Sequence, residues 1–62
     1  MNYLSENIKF IRVLKELSQE QLAEDLKVSR SRISSYEGKR ATPSIVFLIH
    51  LSEYINISIE EL

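Results

Sequence analysis

Apolar residues recur at helical spacing through almost the whole chain. Leu4, Ile8, Ile11 and Leu14 step along one face, Phe10 and Leu17 widen the apolar arc, and together they predict a first helix over 3–16. Ser18 opens a second helix: its hydroxyl can cap a free backbone N–H, and Gln21 stands three residues on, as a capping box requires. Leu22, Ala23 and Leu26 give this helix a narrow stripe, and the small Ala23 lets another helix pass close by. Lys27, Val28 and Ser29 read as a turn in which Val28, apolar among polar neighbours, plugs the core. Ser29 is the expected N-cap of a third helix over 30–37. Ile33 and Tyr36 should face inward from it, while Ser31, Ser34 and Ser35 lie on the other side with Arg30 at the leading edge.

A basic loop over 38–42 follows, and Thr42 with Pro43 makes a good helix start. The fourth helix is expected over 43–55, with Ile45, Leu48, Ile49, Ser52 and Ile55 on its inner face. Asn56 can end it in a left-handed conformation. Ser58 and Glu61 form a further capping box over a short fifth helix. The pattern therefore predicts an all-α, compact five-helix fold with short connections.

Composition narrows the classes. A chain of 62 residues is one domain, 1–62, and its apolar fraction of 44% suffices for a core. With no cysteine there is neither a disulfide nor a cysteine-ligated zinc. No run approaches the roughly 20 apolar residues of a membrane span, and the first residues lack a secretion-signal layout, so a soluble cytoplasmic protein is expected. His50 is a lone histidine and makes no metal site. No nucleophile stands with a base, no carboxylates pair and no glycine-rich loop occurs, so neither an enzyme nor a cofactor is expected.

Charge sharpens the picture. The net charge is only -1, but its signs are segregated. Residues 1–26 carry -2, residues 27–40 carry +4 through Lys27, Arg30, Arg32, Lys39 and Arg40 against Glu37, and residues 41–62 carry -3. A basic band centred on the third helix suits a polyanionic partner.

Gln19, Leu22, Ala23, Val28, Ser29, Ile33, Tyr36 and Glu37, followed by Pro43, Ser44 and Leu48, resemble the phage repressor and Cro type of helix-turn-helix, also called the XRE type. The resemblance runs from about Ile8 to Leu62 and implies a lambda-repressor-like domain whose second and third helices form the helix-turn-helix. It implies a regulator of transcription that binds double-stranded DNA with the third helix in the major groove. Such a helix reads base edges with short or forked polar side chains. Arg30 can take guanine O6 and N7 bidentately, and Ser31 and Ser35 are short enough to approach bases. These three map to the family's base-reading positions, and Ser34 is a further candidate for a base or a phosphate. A solvated polar face is the plainer account of the same serines.

By resemblance Gln19 binds a backbone phosphate at a helix start, and Lys39 and Arg40 flank the groove as phosphate ligands. Arg32 is a weaker phosphate candidate. Arg12 is expected to meet Glu37, bracing the third helix and leaving guanidinium N–H groups for phosphate. Two departures from the family bear on this. Lys27 stands where many relatives carry glycine, a substitution worth about 1–2 kcal/mol at positive φ. Gly38 comes one residue early after Glu37, so the basic loop can follow another path.

Val46, Phe47, Tyr54 and Ile59 are surplus to the predicted core stripe and are expected at a homodimer seam, although Phe47 and Tyr54 could instead complete the core. A dimer sets two recognition helices one DNA turn apart, roughly 34 Å. Repression by blocking polymerase is the expected output. The alternative is a protein-interaction module, such as an antitoxin or anti-repressor, whose partner is a toxin or regulatory protein.

Overall fold

A computed structural model describes residues 4–56 of the chain. They form four helices in the order α1 (Leu4–Leu14), α2 (Gln19–Leu26), α3 (Arg30–Glu37) and α4 (Ile45–Ile55). The expected fifth helix, with Ser58, Ile59 and Glu61, lies outside the described residues. Among the described residues no helix is long and apolar enough to cross a membrane.

The helix starts are built by serine. Ser18 Oγ accepts the Gln21 backbone N–H at 3.0 Å, and Ser29 Oγ accepts that of Arg32 at 3.2 Å. The expected capping box at α2 is half formed: the Gln21 side chain bonds Asp25 Oδ1 one turn on and does not reach back to Ser18. At α4 the cap is Ser44, whose Oγ accepts the Phe47 N–H at 3.1 Å. The start predicted at Thr42 and Pro43 thus shifts by two residues, because Ser44 supplies a better-placed oxygen.

The helix ends share a different device. Glu16, Lys27, Lys39 and Asn56 all have φ near +60°, and none is glycine. Behind the first three, the next residue's N–H reaches back across the last turn: Leu17 to the Arg12 carbonyl at 2.9 Å, Val28 to Ala23 at 2.9 Å, Arg40 to Ser35 at 2.8 Å. Each is a Schellman closure, which satisfies carbonyls a helix end leaves free. Lys27 occupies the left-handed position at φ 60°. Lys27→Gly should therefore raise stability by about 1 kcal/mol, the relief of a crowded Cβ less the added freedom of the unfolded chain. A thermal melt reads it, and an unchanged or lower midpoint would mean that the lysine carries no strain.

Ile8, Leu22, Ala23, Leu26, Ile33, Tyr36, Phe47 and Leu51 form the core, with Leu17, Val28 and Leu48 partly buried against it. Val28 fills its expected place between helices. Helix α3 packs on α2 and α1, and α4 packs on α2.

Two faces differ from expectation. On α1, Leu14 is 69% exposed and Phe10 64%, so neither belongs to the core. Each three-residue step falls about 60° short of a full turn, and by Leu14 that drift carries the stripe away from the Ile8 and Ile11 line. On α4 the buried residues are Phe47 and Leu51, while Ile45 and Ile49, predicted inward, are exposed. That helix is apolar nearly all round, so periodicity does not select a stripe. The selection is made by Phe47, whose ring meets Tyr36 edge-on with centroids 4.7 Å apart. Phe47 is therefore a core residue and leaves the proposed dimer seam.

Candidate nucleic-acid interface

Helix α3 is held from behind by two buried side chains. Ile33 is fully buried and Tyr36 nearly so, and the same turns leave Arg30, Ser31 and Arg32 exposed on the outer side. Ser34 and Ser35 are half-buried at the flank of that surface. The four residues expected to read bases thus share one side of a helix whose opposite side is fixed in the core.

A carboxylate fixes the end of the helix. Glu37 Oε2 accepts Arg12 Nε at 2.7 Å, and Glu37 Oε1 accepts both Arg12 Nη2 and Gln19 Nε2 at 3.1 Å. Arg12 Nη1 donates to the Leu17 carbonyl at 2.9 Å. The guanidinium and carboxylate are largely buried, at 15% and 6% side-chain exposure. The expected Arg12–Glu37 pairing is present, and it takes in Gln19, whose part sequence reasoning did not anticipate. One group of side chains joins the end of α1, the start of α2 and the end of α3. Burial pushes the Glu37 carboxyl up, but the hydrogen bonds from Arg12 and Gln19 and the Arg12 charge outweigh it, and the net shift is downward. The Glu37 hydrogen bond raises the Arg12 guanidinium in turn, against the opposing effect of burial.

The basic loop divides its two cations. Lys39 Nζ lies 2.8 Å from Glu6 Oε2 on α1, an exposed pair that lowers the Glu6 carboxyl chiefly through the hydrogen bond. Arg40 turns the other way, and its Nη2 donates to Ser34 Oγ at 2.9 Å. Arg30, Ser31, Ser34, Ser35 and Arg40 line a hollow of about 350 Å³ on the outer side of α3. Gly38, at φ -87°, does not take the left-handed position, which passes to Lys39 at φ 63°. The left-handed residue thus follows the glycine by one position.

The remaining dimer candidates separate. Val46 is exposed beside Ile45 and Ile49 on α4. Tyr54 is half-buried and tied down: its hydroxyl donates to Asp25 Oδ2 at 2.6 Å, and Lys15 Nζ sits 5.6 Å from its ring centre. The Asp25 bond, with some burial, pushes the Tyr54 phenol up to about 12. Ile59 lies outside the described residues. No local spacing signals the Asp25–Tyr54 or Glu6–Lys39 contacts, since both join residues far apart in the chain.

A family model described as a helix-turn-helix domain matches residues 5–62. The chain belongs to the XRE-type helix-turn-helix family. It is 40% identical over 58 residues to the HTH-type transcriptional activator BcrR of Enterococcus faecalis, an alignment that covers 94% of this chain and 28% of that protein. The chain thus spans about a quarter of the relative's length. No solved structure matches it significantly.

Proposed function

We propose that the domain binds a specific double-stranded DNA sequence by laying α3 in the major groove. The observation that carries this reading is the two-sided character of α3: Ile33 and Tyr36 are buried behind it, and Arg30, Ser31 and Arg32 stand exposed in front. Arg30 and Ser31 read base edges, with Ser34 and Ser35 beside them. Gln19 at the start of α2, Lys39, Arg32 and the N–H groups that Arg12 spends on neither Glu37 nor the Leu17 carbonyl take phosphates. A phosphate readily replaces the Glu6 carboxylate on Lys39, because an exposed ion pair is weak.

Two copies bind a two-fold site through the exposed apolar side of α4 at Ile45, Val46 and Ile49. Repression is the output where that site overlaps the polymerase footprint, because a bound domain blocks it. A reporter with the selected site first within and then upstream of a core promoter reads the sign of regulation directly.

Selection from a random DNA pool tests the central proposal. A palindromic motif is expected, with binding that weakens as salt rises. Arg30→Ala should weaken sites unequally by base, and Lys39→Ala should weaken every site alike. An Arg30→Ala protein that kept the wild-type preference would remove Arg30 from readout. A second reading, a protein-interaction module such as an antitoxin or anti-repressor, is favoured by the exposed Phe10, Val13 and Leu14 on α1. Failure to select any DNA, together with capture of one protein partner, would establish it instead.

A further inference from the structure

We infer that Arg40 is a specificity-determining residue that reads a base from the loop after α3, seated there by Gly38 and Ser34. The inference rests on the proposed placement of α3 in the major groove. A phosphate ligand in this loop would be expected to reach away from the helix, as Lys39 does. Arg40 instead folds back over the last turn of α3, bonds Ser34 Oγ, and closes one side of the hollow that Arg30, Ser31, Ser34 and Ser35 complete. Two guanidinium groups and three hydroxyls thus line one recess on the outer side of α3. A guanidinium held there has the forked donors that match guanine O6 and N7.

Gly38 explains how the arginine gets there. Its φ of -87° suits any residue, so backbone conformation does not require glycine. Space does. A Cβ at position 38 would lie 2.5 Å from Arg40 Nη1 and 3.1 Å from its Cζ, with the Ser34 carbonyl oxygen at 3.2 Å. An added methyl displaces the guanidinium, which is the movable partner, and asks the Ser34 carbonyl to give only by a few tenths of an ångström. The backbone fixes the base of the side chain as well, because the Arg40 N–H bonds the Ser35 carbonyl. Ser34 accordingly acts as a positioning residue: its hydroxyl oxygen accepts from Arg40 and holds the guanidinium in place.

The test selects sites from a random pool with the wild-type protein, Arg40→Ala, Arg40→Lys and Gly38→Ala. Arg40→Ala should lose preference at one base pair in each half-site by roughly 5- to 150-fold, with the other positions retained. Arg40→Lys keeps the charge but not the fork, and should show the same loss at that position with a smaller fall in overall affinity. Gly38→Ala should reproduce the altered preference while circular dichroism shows a folded protein. Uniform weakening of all sites by Arg40→Ala, with the motif intact, would make Arg40 a phosphate ligand and overturn the inference. A wild-type preference kept by Gly38→Ala would overturn the seating. A wild-type protein that selects no motif would instead remove the major-groove reading on which both rest, so the two failures are distinct.

Discussion

Glu37→Gln should destabilise the domain by about 2–3 kcal/mol, the range for a charge-assisted hydrogen-bond network that loses its anion. The neutral amide cannot compensate Arg12, which is largely buried and stays charged. It also presents only one acceptor oxygen, where Glu37 accepts two bonds from Arg12 and one from Gln19. In a domain this small such a loss lowers the melting midpoint by roughly 10 °C or more. The pH dependence follows from the downward shift of the Glu37 carboxyl. A group whose folded value lies below its unfolded one contributes stability above the unfolded value and loses it as the pH falls through the folded one. The wild-type protein should therefore lose stability as acid is added below the ordinary carboxylate value of 4.5, and Glu37→Gln should show a flatter acid limb. Urea titrations across that range measure both effects. Equal stability and equal DNA affinity in the two proteins would eliminate the brace. A double variant, Arg12→Leu with Glu37→Leu, should recover part of the stability because no lone charge remains buried. It should not recover DNA affinity, since Gln19 loses the carboxylate that orients its amide.

Ile33→Ala should unfold much of the domain. The side chain is fully buried at the centre of α3. Truncation removes its transfer free energy and leaves a cavity, together about 2–5 kcal/mol. Domains have about 0.05–0.15 kcal/mol of stability per residue, so a chain of this length has only a few kcal/mol to lose. Much of the Ile33→Ala protein should be unfolded at 37 °C, and its DNA binding should fall with the folded fraction. Ile33→Val removes one methylene and should cost roughly 0.5–1.5 kcal/mol. Ser31→Ala, on the exposed side of the same helix, should stay within about 0.5 kcal/mol of wild type. Near-equal melting of Ile33→Ala and Ser31→Ala would mean that α3 does not pack through Ile33.

The helix-turn-helix was legible because its signals are local. Ser18 and Ser29 mark helix starts by the oxygen each offers, and Ile33 with Tyr36 fixes the inner side of a short helix that has no other apolar residue. The Arg12–Glu37 contact was reached through the family resemblance, since 25 residues separate the partners and no pattern in the chain joins them. Apolar surplus defeated the reading of α4. Where nearly every position is apolar, burial is decided by the partner surface, here Tyr36, and a sequence contains no direct trace of that choice. The division of labour in the loop was equally hidden: Lys39 and Arg40 are adjacent cations, and only the left-handed turn at Lys39 sends them to opposite sides.

The recess beside α3 is bounded by two separate stretches of chain, one inside the packed helix and one in the surface loop after it. Within the helix, Ile33 and Tyr36 are buried among outward positions, so only part of it can change without touching the core. The Arg40 side chain is exposed, so a change there leaves the core untouched. On the proposed readout, a duplicated copy of this domain would shift its DNA preference by exchanging Arg40, while the scaffold stayed as inherited.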